Sequence, residues 1–219
     1  MARASTIWIA RHGETTWNLA GRYQGRMESA LSARGVQQGF ALAAEFARKL
    51  ECREAIPTRI VSSPLLRCHA TARFTASRLG LPIETDDRII EIAHGTWEGR
   101  YRDDLAANDS ERYRTWREDP ARARFDGGET LTDVIARWRA FARDLAARDE
   151  DTLVLTHDAV VRCALVDMHE RSLDDFWAVR VENAAFARVE RLDGRLVVIE
   201  DCDNAHLGSL RADLTTQAL

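Results

Sequence analysis

Short apolar, β-branched runs alternate along this chain with longer stretches of helical period, and that alternation leaves few architectures open. The runs TIWIA (6–10), RIVS (59–62) and TLVLT (152–156) suit buried strands. Between the first two, Ser32–Leu50 carries apolar residues at helical spacing and opens on Ser32, a good N-cap residue. Pro64–Leu79 reads as a second helix with proline in its first turn. A further helix starts near Ala159. Towards the C-terminus, AAFARVERL and RLVVIE flank Asp193-Gly194, a hairpin dipeptide. Strands separated by helices imply an α/β fold: a three-layer sandwich with a mostly parallel central sheet and, from the hairpin, an antiparallel edge strand.

The 219 residues show no internal repeat, low-complexity tract or linker, so residues 1–219 read as a single domain. Residues 97–150 hold two helical patterns, about 101–118 and 129–148, separated by PARARFDGGE. They are expected to form a helical cap or insertion over one side of the sheet. Residues 208–219 lack an apolar pattern and read as a flexible tail. A net charge of −4 argues against nucleic acid or an anionic membrane as the main partner. Any anion must therefore be held by a local cluster of cations. Of the 31 basic residues all but Lys49 are arginine, so arginine abundance alone marks no site. Cys52, Cys68, Cys163 and Cys202 lack the short spacing of a zinc site, and a chain this long needs no disulfide staples. Free thiols, with no apolar run near the ~20 residues of a membrane span, lead to the expectation of a soluble cytoplasmic protein.

Each apolar run ends in a polar cluster. The first leads into Arg11-His12-Gly13-Glu14-Thr15, the second into Ser62-Ser63-Pro64 and, a turn later, Arg67, and the third into Thr156-His157-Asp158. In an open α/β sheet, ligands bind beyond the carboxyl ends of the strands, so these clusters should meet. The residue types suit phosphoryl transfer. Arginine grips phosphate oxygens in pairs, and a neutral imidazole is a good nucleophile towards phosphorus. Gly13 lets the backbone approach an anion, and a following helix start adds amide donors. A proton donor for the leaving oxygen is also needed, and a buried carboxylic acid with a raised pKa can serve.

The string ARHGETTWN resembles the signature of the histidine phosphatase superfamily, in its phosphoglycerate-mutase-like branch. The resemblance continues through RYQGRMESALSARGVQQ, SSPLLRCHATA, IIEIAHGTWEG, GGET and VLTHDAVVR in the family's order, spanning about residues 6–165. It implies that His12 is the nucleophile, and that Arg11, Arg67 and His157 complete the phosphate pocket. Glu91 matches the proton donor, which then activates water. Asn18 matches a further phosphate contact, and Gln24 and Gly25 match a segment bordering the substrate. No metal or organic cofactor is implied; the expected partner is a small phosphorylated metabolite, and a sheet edge could pair two subunits into a homodimer.

Departures from the family pattern matter. Asp158 stands where the family usually has glycine. A carboxylate 4 Å from a phosphate charge is repelled by about 4 kcal/mol in a surface-like dielectric, so Asp158 must turn away, be protonated or be useful. The superfamily's other branch places its proton donor in a His-Asp pair, which makes Asp158 a second candidate beside Glu91. His69 and His94 are also unusual at their positions, and His94 is a candidate for lining the pocket. Gly127, Gly128 and Glu129, with a short segment before the second histidine, favour a phosphatase over a mutase. The expectation is therefore a metal-independent phosphatase acting on a small phosphomonoester through phosphohistidine at His12. The alternatives are a phosphoglycerate-type mutase or a non-catalytic phosphate-binding protein. Trp8 and Trp138 read as core and Trp17 and Trp97 as pocket walls, while His69, His169 and His206 read as solvated or core. The arginines from Arg112 to Arg124 read as a solvated face, or else as a pocket mouth that attracts an anion. The leaving-group side is assigned to residues 97–128 and the C-terminal segment.

Overall fold

A computed structural model of the protein describes residues 5–218. Six strands form one sheet: β1 (Thr6–Arg11), β2 (Arg59–Ser62), β3 (Ile83–Thr85), β4 (Thr152–Thr156), β5 (Phe186–Leu192) and β6 (Arg195–Asp203). Their order is β3-β2-β4-β1-β5-β6. The pairs β1/β4, β2/β4 and β2/β3 are parallel, whereas β5 runs antiparallel to β1 and β6 antiparallel to β5. The antiparallel strand is thus one place in from the edge, because β5 returns directly beside β1 and its hairpin partner takes the rim. The hairpin turns at Asp193 and Gly194, with φ of 49° and 74°, the left-handed pair that matches the twist of two antiparallel strands.

Side-chain alternation along the strands divides the core between two faces. Trp8, Ala10, Ile60, Leu153 and Leu155 pack under Leu42 and Phe46 of α2 (Ala33–Glu51) and Cys68 and Ala72 of α3 (Leu66–Leu79). Ile7, Ile9, Val61 and Val154 pack under Val134 and Trp138 of α6 (Leu131–Ala146) and Val160 and Cys163 of α7 (Asp158–Met168). Each fully buried Val, Leu, Ile or Phe side chain is worth roughly 1.5–3 kcal/mol, so β1, β2 and β4 are held rigidly and their ends are fixed points. A one-turn helix α1 (Thr16–Leu19) follows β1, and α4 (Arg102–Asn108) and α5 (Ser110–Glu118) are inserted before α6. Among the described residues no helix is long and apolar enough to cross a membrane.

Several sequence expectations are revised. The helix after β2 does not begin at Pro64: the Ser63 amide is spent on the Leu155 carbonyl (2.8 Å), which prolongs the sheet and delays the helix to Leu66. The pattern at 101–118 is two helices. They break at Asp109, whose carboxylate accepts hydrogen bonds from Trp97 Nε1 and Arg112 Nε. The helix expected at 129–148 spans Leu131–Ala146, opened by a Thr130/Asp133 capping box, and packs beside α7 in the layer covering the sheet. Only α4, α5 and the turns around them form an insertion. The expected flexible tail is packed in place: Ala212, Gln217 and Ala218 are buried, because Gln217 finds polar partners beneath it. Trp8 and Trp138 are core residues, as expected. Trp17 does not line the pocket; it is partly exposed beneath the Arg22 guanidinium.

Candidate active site

The parallel register aligns Arg11 with Thr156, so β1 and β4 end side by side, and the His12 amide donates to the Thr156 carbonyl (2.9 Å). His12 and His157 therefore leave the sheet at one level. Their rings lie edge to face with centroids 5.3 Å apart. Both are buried and have pKa values held well below 6.5. Burial is the main cause, followed for His12 by the Arg67 and Arg11 charges and for His157 by Arg67 and His12. Both imidazoles are neutral near pH 7.

The His12 tautomer follows from a single contact. Its Nδ1 is 2.7 Å from the Gly13 carbonyl oxygen, which can only accept, so Nδ1 carries the proton and Nε2 keeps the lone pair. The loop that makes this bond is pinned on both sides. The Gly13 amide donates to Thr71 Oγ1 of α3 (3.0 Å), and Asn183 Nδ2 donates to the His12 carbonyl (3.2 Å). His157 Nε2 lies 2.7 Å from Ser63 Oγ, at the end of β2, which fixes that ring as well. The neighbouring Cys68 thiol is pushed up by burial and is a packing group.

Beyond these rings is a cavity of about 20 Å³ lined by Arg11, His12, Asn18, Gln24, Gly25, Glu91, His94 and Asp158, with Trp116, Phe176 and Ala218 on its apolar side. Seven of the nine expected site residues share this lining. Arg67 and His157 stand behind it. Arg67 is buried and spends Nη1 and Nη2 on the Met27 and Gly25 carbonyls (2.9 and 2.7 Å), so it holds the bordering loop while its charge reaches His12, His157 and Glu91. Asn18 accepts from the Thr15 amide through Oδ1, and its buried Nδ2 has no hydrogen-bond partner among the described residues.

Glu91 is 8% exposed, and its carboxyl pKa is raised from 4.5 to about 7. Burial is the largest cause; Arg67 and Arg11 pull it down, Asp158 pushes it up, and the Ile92 amide holds one oxygen at 2.9 Å. Near neutrality such a group can give and take a proton. Asp158 is differently placed. It is the first residue of α7, with His157 at the cap position. Its oxygens lie 2.6 Å from Arg162 Nε and 3.3 Å from Arg11 Nη1. The carboxylate turns towards two guanidinium groups, which resolves its conflict with a nearby anion. Glu91 is therefore better placed than Asp158 to donate a proton.

Trp97 and His94 belong to an aromatic box. Trp97 is stacked edge-on to Tyr23 and Phe125, and His94 meets Tyr23 and Phe125 at 5.1 and 4.8 Å. Burial lowers the His94 pKa to about 3, and neither of its ring nitrogens has a partner among the described residues. The GGE triplet clamps this region. Glu129 Oε2 accepts from the Ala93 amide and pairs with Arg26 and Arg137, and a Cβ on Gly128 would lie 2.3 Å from the Ala93 carbonyl. Ser63, Thr71, Asn183 and Gln217 also support the site without having been singled out as site residues. Ser63 lies in a strand-end cluster that could have flagged it, whereas Asn183 and Gln217 carry no sequence signal.

Residues 7–203 match the histidine phosphatase superfamily (branch 1). The chain belongs to that family. Phosphoserine phosphatase 1 of Hydrogenobacter thermophilus is 34% identical over 205 residues, covering 91% of this chain and 93% of that protein. The probable phosphoglycerate mutase GpmB of Yersinia pestis is 30% identical over 213 residues, or 92% and 94% of the two chains. Among solved structures, Bacillus stearothermophilus YhfR superposes with a TM-score of 0.84 at 28% identity, covering 93% of this chain and all of that one. The six-stranded sheet with helices on both faces is thus the family's phosphoglycerate-mutase-like α/β fold.

Proposed function

We propose that this histidine phosphatase hydrolyses a small phosphomonoester in two steps. His12 Nε2 forms a bond to phosphorus as the ester P–O bond breaks, and the protonated Glu91 carboxyl gives its proton to the departing alkoxide. Water then attacks phosphorus, the N–P bond breaks, and the proton lost by water returns to Glu91, so that enzyme and acid are both restored. The observation that carries this reading is the pairing, in one cavity, of a neutral imidazole whose free lone pair is on Nε2 with a carboxyl held at about 7. Asn18 Nδ2 is an unspent donor for the phosphoryl oxygens, and the charges of Arg11 and Arg67 favour a dianion there. Phosphatase relatives from several bacteria agree with hydrolysis, while the mutase-named relative defines the rival reaction. A cytoplasmic setting, in which four thiols stay reduced, fits this chemistry.

The test is steady-state turnover of an aryl phosphate with chelator present. Expected is release of phosphate at the same rate with or without chelator, and loss of nearly all of it in His12→Ala. Isomerisation that needs a bisphosphate primer, in place of hydrolysis, would identify the mutase instead.

A further inference from the structure

The catalytic cavity, at about 20 Å³, has room for about one water molecule and none for a phosphate ester. On the other side of the C-terminal segment lies a much larger space of about 900 Å³. Arg102, Arg117, Arg162 and Arg180 line it, with Trp177 and the strap residues themselves. Asp213 is the sole carboxylate on the wall among the described residues, and it caps the Thr215 amide (2.9 Å). Arg102 is paired with Asp103 at 3.0 Å, Arg162 with Asp158 at 2.6 Å and Arg180 with Glu182 at 3.0 Å. Arg117 lies over the Trp177 ring at 4.2 Å and, among the described residues, has no carboxylate partner. Arg117 is thus the guanidinium of this lining with a fork still open to an incoming anion, in a chain whose net charge is −4.

One layer of chain separates the chamber from the histidines. Gln217 faces the chamber and also accepts from Arg11 Nη2 (2.7 Å) while donating to Asn183 (2.9 Å); its neighbour Ala218 lines the catalytic cavity. Arg102 Nη1 holds the strap from the other side through the Thr215 carbonyl (2.6 Å). Gln217 thus occupies a guanidinium donor at the very place where a phosphoryl oxygen needs one.

We propose that this chamber is the leaving-group subsite, built for an alcohol carrying a second anion, and that Asp213–Ala218 is a strap that moves aside so that the two cavities join. This inference rests on the phosphatase reading and names its substrate class. Arginine forks suit a carboxylate or a second phosphate equally. Opening the strap costs free energy, so apparent affinity is reduced by the fraction of molecules that are open. A substrate whose second anion takes the arginines offsets that cost; a neutral alcohol does not.

The experiment compares kcat/KM for three matched alkyl esters: propyl phosphate, phosphooxypropanoate and propanediol bisphosphate. For the full-length protein, preference for at least one anion-bearing ester over propyl phosphate is expected to be about tenfold or more, and its identity separates carboxylate from phosphate. Arg117→Ala, a change on an exposed helix face, is expected to shrink that preference ratio about tenfold. Gln217→Ala, which loosens the strap, is expected to raise kcat/KM for propyl phosphate about threefold or more. Equal handling of all three esters, a ratio unmoved by Arg117→Ala, or no gain in Gln217→Ala overturns the inference while leaving hydrolysis intact. Failure of the phosphatase reading would instead appear as no hydrolysis of any ester.

Discussion

The burial that raises the Glu91 carboxyl also weakens the fold at high pH. The carboxyl is raised from 4.5 to about 7 chiefly by burial, so it is protonated below about pH 7 and ionised above. For a poor leaving group, kcat/KM should hold below that value and fall as pH rises through it. Glu91→Gln should lose this limb and fall roughly 10²–10⁴-fold on an alkyl phosphate, with a smaller loss on an activated aryl ester. The linkage runs the same way. A folded-state pKa above the unfolded value means that the stabilising contribution is complete below about 4.5 and disappears as pH rises through about 7. At pH 8, Glu91→Gln should therefore be the more stable protein by up to about 3 kcal/mol, measurable as a higher Tm, with little difference at pH 4. Equal Tm values at both pH values, with an unaltered rate profile, would remove Glu91 from the role. At this scale the sequence was most informative where residue type implied chemistry, as at His12 and Glu91. It was least so for Asn183 and Gln217, whose side-chain amides reach His12 and Arg11, roughly 170 to 210 positions away in the chain.

The elements explain why those side chains meet. β1, β2 and β4 are adjacent and parallel, and their carboxyl ends deliver His12 and Ser63 to either side of His157, each in contact with it. The apolar runs announced those strands, and Ser32 announced the start of α2, because their signals are local. The start of α3 and the break at Asp109 were hidden because each is decided by a distant partner, the Leu155 carbonyl and the Trp97 indole. The Gly127-Gly128-Glu129 turn is a comparable long-range device: it braces the loop that carries Glu91 and His94. Gly128→Ala would drive a methyl to 2.3 Å from the Ala93 carbonyl, and backbone must yield. A loss of about 1–3 kcal/mol in stability is expected, with a kcat reduced about tenfold or more by displacement of Glu91. A variant with unchanged Tm and kcat would show that the turn does not brace the acid.

Across the whole molecule the net charge is negative, while Arg11 lines the pocket and the Arg67 charge reaches it, so any anion held there must be held by local geometry and not by the overall field. The layered architecture and most of the pocket were legible because alternation and strand-end chemistry are properties of contiguous segments. The packed C-terminal strap was not, since its hold on Arg11 depends on the complete fold. The proposed hydrolysis requires a covalent bond between phosphorus and His12 Nε2. Incubation with a ³²P-labelled phosphomonoester, followed by rapid denaturation in alkali, should leave label on the protein that is stable to base, released by acid and absent from His12→Ala. Label retained by His12→Ala, or no label in the wild type during active turnover at any quench time, would contradict it.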